Sequence, residues 1–406
     1  MKTLANYPIL IPNKGIDKTK WSVVSCDQYT SEPDYWSKLE SIVKDAPSTL
    51  RLIYPEVYLS EAEPEKRIAA INKTMKSYLN SGVFREIKDS YILIKRDTCL
   101  GHSRLGLVAP VDLEDYSFVQ PCSSIIRSTE DVVRDRIPPR LKIRRGAPIE
   151  LPHIILLIDD RKKEILEPLW EKRDSFEKLY DFDLNMNGGH IVGYKVDASI
   201  VHAALDKYVE NTVKNLYGKE SNFVFAVGDG NHSLATAQAY WNEIKEALTE
   251  EERKVHPARY ALCEIENLHS DGILFEPIHR FVFNADASFV NYLEDNLTGS
   301  AKVRVFSKDG EADICVDGNS AKAIADIQSV IDKYLKENKD CSVDYVHGEE
   351  SLKWVANANK GVAILMPKLA KEDLFGYVLE NGTLCRKSFS MGEADEKRFY
   401  LEAKKI

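Results

Sequence analysis

The stretch FVFAVGDGNHSLATAQAYW, Phe223 to Trp241, sets an acid, an amide, an imidazole and a hydroxyl almost side by side as Asp229, Asn231, His232 and Ser233. Such groups suit metal-assisted phosphoryl chemistry when a phosphate is brought to them. The apolar run Phe223 to Val227 reads as a buried strand, and the glycines flanking Asp229 allow a tight turn into a helix. Ser233 reads as the helix N-cap, its hydroxyl accepting from a backbone N–H of the first turn. Free N–H groups and the positive end of the helix dipole favour an anion there, phosphate above all. A strand–helix turn that needs Asp-Gly for shape and serine for a cap explains the same letters, and on this segment alone both readings stand.

A second group is cationic. From Arg134 to Arg145 six of twelve residues are basic (Arg134, Arg136, Arg140, Lys142, Arg144, Arg145), opposed locally by Asp135. Arginine forks match phosphate oxygens through paired, charge-assisted bonds. In a chain of formal charge −9 the cluster reads as the seat of an anionic partner, since the segment lacks acids to pair it internally. The alternative is a solvated turn around Pro138-Pro139. Arg386 and Lys387, in GTLCRKSFSMGE (382–393), offer further phosphate contacts or form a basic β-turn at a sheet edge. In NLHSDGILFEPIHR (267–280), His279 is a candidate substrate ligand or a satisfied structural histidine, and Arg280 suits a substrate carboxylate. No His-x-x-x-His spacing there marks a zinc site. Asp27 and Gln28 follow an apolar strand, where a substrate loop or an Asx turn capping the next helix fits.

The exclusions narrow the chemistry. The chain has no Gly-x-x-x-x-Gly-Lys-Ser/Thr loop, no Gly-x-Gly-x-x-Gly fingerprint and no Gly-x-Ser-x-Gly elbow. Phosphate handling without a familiar nucleotide cradle remains. The charge of −9 argues against nucleic acid as a partner. No apolar run approaches a membrane span. The opening MKTLANYPIL gives no expectation of a secretory leader, because a proline breaks its apolar run and no cleavage site follows. Seven scattered cysteines without a Cys-x-x-Cys pair fit reduced thiols, so a soluble cytoplasmic protein is expected. Oligomeric state is not legible.

The elements that must position these residues alternate. Strands are predicted at 91–96, 106–113, 153–158, 190–196 and 258–266. Helices are predicted from Pro33, over 64–79, over 165–179, and from Ser199 to a stop at Gly218. Alternation of this kind predicts an α/β fold with a mixed sheet. At 406 residues two or three subdomains are expected. The reading divides the chain into a catalytic core with an N-terminal extension (1–282), a small α/β domain (283–380) and a C-terminal segment (381–406) that returns to the active site.

Together VGDGNHSLATAQAYW, LGLVAPVDLEDY, IRSTEDVVRDRIPPRLKIRRGAPIELPHI, NGGHIVGY, FEPIHR and RKSFSMGEADEKRFYLEAKKI resemble the bacterial domain-of-unknown-function 1015 family. That family belongs to the ParB/sulfiredoxin-like superfamily, which implies a core of that type. Where the superfamily motif runs Asp-Gly-His-His-Arg, this chain has Asp229-Gly230-Asn231-His232-Ser233, without the arginine set against a nucleotide phosphate. The departure fits the branch of pyrophosphate-dependent kinases of free L-serine. The resemblance implies that pyrophosphate and L-serine give O-phospho-L-serine and orthophosphate with Mg²⁺. Asp229 would hold the metal or accept the serine proton, and Asn231, His232 and Ser233 would hold the transferred phosphoryl. Arg134, Arg136, Lys142, Arg144, Arg386 and Lys387 would grip the other phosphate. His279 and Arg280, with Asp27 and Gln28, would orient the amino acid. The alternatives are an ADP- or ATP-dependent small-molecule kinase and a ParB-like nucleotide-binding module without catalysis.

Overall fold

Along YILIKR and its neighbour GLVAP the side chains alternate between two buried surfaces. Tyr91, Leu93, Leu107 and Ala109 enter one core, and Ile92, Ile94 and Val108 enter another. A sheet covered on both faces produces such near-continuous apolar strands. The computed structural model describes residues 3–119, 122–308 and 310–406. Among them a nine-stranded sheet is built from β1 (Ser90–Asp97), β2 (Ser103–Asp112), β3 (Tyr116–Ser117), β4 (Ile126–Ser128), β5 (Ile155–Ile158), β6 (Glu177–Asp183), β7 (His190–Asp197), β8 (Phe225–Asp229) and β9 (Tyr260–Asn267). Its order is β6-β7-β1-β2-β9-β5-β8-β4-β3. The β8–β4, β9–β5 and β3–β4 pairs are parallel and the others antiparallel, so the fold is mixed α/β.

Helices α1 (Pro33–Val43) and α2 (Pro64–Asn80) bury Trp36, Leu39, Ile71 and Met75 on one face, together with Trp21 and Tyr400. On the other face α4 (Ala198–Tyr208) and α5 (Asn231–Lys245) bury Val201, Leu205, Leu234 and Trp241. Between them in sequence, α3 (Ile137–Arg144) carries the basic segment. The helix expected over 165–179 stops at Glu171, and Leu179 lies in β6 instead. The spacing of Ile165, Leu166, Leu169 and Trp170 does make one short helix. Beyond it, strand pairing with β7 overrides the helical period.

The chain divides into two compact units: Met1–Ser128, Val132–Ile273 and Glu393–Ile406 form the first, and Thr129–Asp131 with Leu274–Gly392 the second. The second holds β10 (Phe275–Phe283), β11 (Ala301–Ser307), β12 (Gly310–Val316), β13 (Ser342–His347), β14 (Gly361–Ile364) and β15 (Phe389–Met391). Its sheet runs β12-β11-β14-β10-β13, with β15 also on β10. The pairs Phe275↔Met391 and Pro277↔Phe389 keep both ends of the segment inside this unit. Its limits therefore fall at Leu274 and Gly392, where the sequence reading sets 283 and 380. Among the described residues no helix is long and apolar enough to cross a membrane.

Candidate functional site

The first unit gathers its reactive groups where β8 meets α5. Gly230, at φ +78°, is the N-cap, and a Cβ on it would lie 3.0–3.4 Å from Ile154. Left-handed backbone and this close approach both require glycine. The first helical bond runs from the Leu234 N–H to the Gly230 carbonyl at 3.0 Å. Ser233 thus sits inside the first turn rather than at the cap, because the glycine starts the helix earlier than a serine cap would. The first-turn N–H groups have no intrahelical acceptor and point out of the helix end.

Asp229 Oδ1 accepts the Gly230 N–H at 2.8 Å, and its Oδ2 lies 3.1 Å from Lys397 Nζ. The Ser128 hydroxyl donates to Asn231 Oδ1 at 2.6 Å, which fixes the amide and leaves its Nδ2 donors unused among the described residues. His232 Nε2 accepts the Val133 N–H at 3.1 Å. That bond gives His232 a fastening role. It holds the chain entering the Arg134–Arg136 turn.

Asp27 joins this cluster after the short strand Val23–Val24. Burial raises its pKa, but His153, the Gln28 amide (3.1 Å), Lys397 and Ser25 outweigh burial and leave it below the usual carboxylate range. The Glu56 N–H donates to the Cys26 carbonyl at 2.8 Å, bringing a second carboxylate alongside. Burial raises the Glu56 pKa, against the pull of Arg140, and the Asp27 charge adds to the rise. The environment thus pushes the pKa values of these two carboxylates apart, while Glu56 stays paired with Arg140. His153 is oriented by the Tyr400 hydroxyl, 2.8 Å from its Nδ1. Burial, with the Asp27 charge second, pushes the Cys26 thiol up to about 12, so it stays protonated and is no nucleophile.

The basic segment divides. Arg134 and Arg136 are exposed and make no side-chain hydrogen bond or ion pair among the described residues. The charge of Arg136 reaches Glu56. Arg144 pairs with the buried Glu150, a structural tie, and Lys142 pairs with Glu65 at the surface. Arg140 and Arg145 pair with Glu56 and Glu243. Asp135 is the one acid within the cluster, and the fold supplies the pairing acids, mostly from far along the chain.

Four expected site residues lie in the second unit. His279 is buried and its Nδ1 accepts the Met366 N–H at 3.2 Å; burial holds its pKa down. Arg280 is 0% exposed, donating to Gln328 Oε1 at 2.8 Å and the Ile278 carbonyl at 2.6 Å, with its guanidinium over the Tyr345 ring. These are interior ties across β10, a strand paired on both sides, and Arg280 keeps Nη2 without a hydrogen-bond partner. Arg386 and Lys387 occupy an exposed turn, Lys387 at φ +60°.

Sequence reasoning missed Ser128, Glu56, His153 and Lys397. Three of them lay within motifs already singled out. Glu56, in YPEVY, carries no signal in the sequence.

The first unit therefore belongs to the mixed α/β proteins that collect polar groups beyond a sheet's strand ends. The DUF1015 family model, described as a protein of unknown function, matches residues 10–389, and the chain belongs to this family. No curated protein matches it. Among solved structures it is similar to a conserved hypothetical protein from Pyrococcus furiosus, at 10% identity and TM-score 0.35, covering 74% of this chain and 94% of that one. It is similar also to a free serine kinase in complex with AMP, at 11% identity and TM-score 0.37, covering 72% and 87%. A third is SbnI with a C-terminal truncation from Staphylococcus aureus, at 8% identity and TM-score 0.36, covering 72% and 82%. Likeness this distant assigns no activity.

Proposed function

We propose that this chain is a cytoplasmic phosphotransferase that makes O-phospho-L-serine from free L-serine, with pyrophosphate as donor and orthophosphate as the leaving product. The observation that carries the reading is the convergence at the β8–α5 turn. Asp229, the open end of α5, the Asn231 amide and Lys397 meet there, and the unpaired Arg134 and Arg136 follow the Val133 that His232 fastens. Phosphoryl transfer asks mainly for positioning and charge neutralisation, and these groups supply both. A donor without base or ribose needs no nucleoside fingerprint, and the sequence carries none. The resemblance that names the serine-kinase branch and a ParB/sulfiredoxin-like core supports the same reading.

In this mechanism the serine hydroxyl oxygen attacks the near phosphorus and the anhydride P–O bond breaks. Asp27, held as an anion beside His153, accepts the hydroxyl proton. The α5 N–H groups and the Asn231 Nδ2 hold the transferred phosphoryl, and Arg134 with Arg136 holds the departing phosphate. Mg²⁺ fits the donor set: it is commonly held by one or two carboxylates and substrate phosphate oxygens, and Asp229 offers one. Among the described residues no cluster of three His, Cys, Asp or Glu side chains is preformed for a metal. When bound, the ion would neutralise charge on the phosphates.

The test is phosphoserine formation by the purified protein with Mg²⁺ and L-serine, comparing pyrophosphate, ADP and ATP. Product with pyrophosphate alone is expected. Product only with a nucleotide overturns the donor, and no product with any donor overturns the reaction.

A further inference from the structure

The residues on either side of Lys397 are pinned to an unusual degree. Arg96 donates to the carbonyls of Asp395 (2.6 Å), Glu396 (3.1 Å) and Lys397 (2.5 Å), as well as to Gly188. Arg104 donates to the Glu396 carbonyl. Arg398 donates to Glu264 (2.7 Å), Glu402 (2.9 Å) and the Pro152 carbonyl (2.7 Å). The Glu396 carboxylate accepts from Thr98 at 2.9 Å and lies 2.6 Å from His102 Nδ1. All three arginines are buried. Burying a guanidinium is costly unless its donors are satisfied, and here Arg96 and Arg104 direct four bonds at the main-chain carbonyls of Asp395, Glu396 and Lys397, while Arg398 ties the next residue to Glu264, Glu402 and Pro152. The product of that arrangement is a fixed Cα at position 397.

From this fixed base one mobile group reaches the site. The Lys397 ammonium lies against Asp229, and its charge also lowers the pKa of Asp27, so one cation serves two carboxylates. An ammonium on a four-carbon stem is a point charge with rotatable donors, suited to an anion whose bonding changes during reaction. A salt bridge wanted for stability alone would not need the backbone beneath it held by two buried arginines, Arg96 and Arg104. Resting on the phosphotransferase reading above, we infer that Lys397 is a donor-binding residue whose ammonium passes from Asp229 to a phosphate of the incoming donor.

The test is calorimetric titration of inorganic pyrophosphate into the full-length protein in EDTA, without metal, alongside thermal melting of each variant. Lys397→Met is expected to weaken binding about tenfold, as loss of one charge-assisted contact should, while Lys397→Arg stays within about threefold. Asp229→Asn releases the ammonium and is expected to tighten binding severalfold. That gain should vanish in the Asp229→Asn/Lys397→Met double variant, which isolates the coupling. Wild-type affinity in a folded Lys397→Met protein overturns the inference. Should that variant fail to fold, Asp229→Asn decides, and no tightening there overturns it equally. A parallel titration with ADP separates the two readings. Binding of ADP but not pyrophosphate sinks the donor reading and moves the same Lys397 expectations to ADP. Binding of neither sinks both.

Discussion

Strands β5 and β8 run antiparallel, with Ile155 opposite Asp229, so Asp229 and Asp159 lie at opposite ends of one strand pair. The two aspartates resemble each other in sequence and differ in circumstance. Asp159 is 1% exposed; it accepts from Arg161 at 3.1 Å and from Tyr217, and its Oδ1 lies 2.5 Å from His269 Nε2. Burial would raise its pKa, but these partners keep it lowered. Asp229, with its side chain 26% exposed, has one ammonium and one N–H. A saturated acid is a structural tie. An acid with unfilled lone pairs beside an open helix end has something left to bind.

That contrast breaks most readily by exchanging each acid for its amide. Asp229→Asn is expected to lower kcat for phosphoserine formation about a thousandfold, as loss of a central electrostatic group does. Its melting temperature should stay within about 2 °C, because Asp229 is partly open to water and Lys397 keeps the Asp27 charge as a partner. Asp159→Asn is expected to do the reverse, with a loss of about 3 kcal/mol in stability and turnover within about twofold. Equal effects on activity would erase the distinction.

The basic segment sharpens it. Arg144→Ala leaves the buried Glu150 with Lys404 at 3.6 Å and is expected to cost about 2–3 kcal/mol in urea unfolding, with donor KM unchanged. Arg136→Ala should raise donor KM about tenfold without changing stability. The opposite pattern would return Arg144 to the site.

A smaller effect is expected from Glu266, which is 1% exposed and whose carboxylate oxygens have no hydrogen-bond partner. Burial, opposed by Arg104 and aided by Glu264, pushes its pKa up to about 8 from an ordinary 4.5. Between those values the folded chain holds a proton that the unfolded chain has lost. Stability therefore falls as pH rises through this window and levels above about 8. Glu266→Gln should flatten the wild-type decline in melting temperature between pH 5 and 8. An unchanged slope would mean that Glu266 is ionised throughout. Least of all, Ser233→Ala is expected to shift stability by under about 0.5 kcal/mol, since a true cap would cost about 1.

Much of this could be read from the chain. The helix over 64–79 appears as Pro64–Asn80, and the strand at 91–96 as Ser90–Asp97, because their apolar periods meet no competing partner. The Asp229 turn was legible as a strand–helix junction. Its cap was not, since Gly230 in left-handed backbone and Ser233 in the first turn start helices from nearly the same letters. The pairing of Lys142 with Glu65 and of Arg145 with Glu243 spans 77 and 98 residues, a separation that charge patterning cannot see. Lys397 was hidden for the same reason: what distinguishes it from other lysines is Arg96, three hundred residues away.

Apart from Thr129–Asp131, the second unit leaves and rejoins the chain at one place. Its ends are antiparallel neighbours, Phe275 opposite Met391, and the Gly392 N–H donates to the Leu274 carbonyl at 3.2 Å. Adjacent strands lie about 5 Å apart, so Ile273 and Glu393 are flanked by chain ends a short linker could join. In evolutionary terms the segment has the form of a cassette. Its length and contents can change without lengthening the path that joins Ile273 to Glu393.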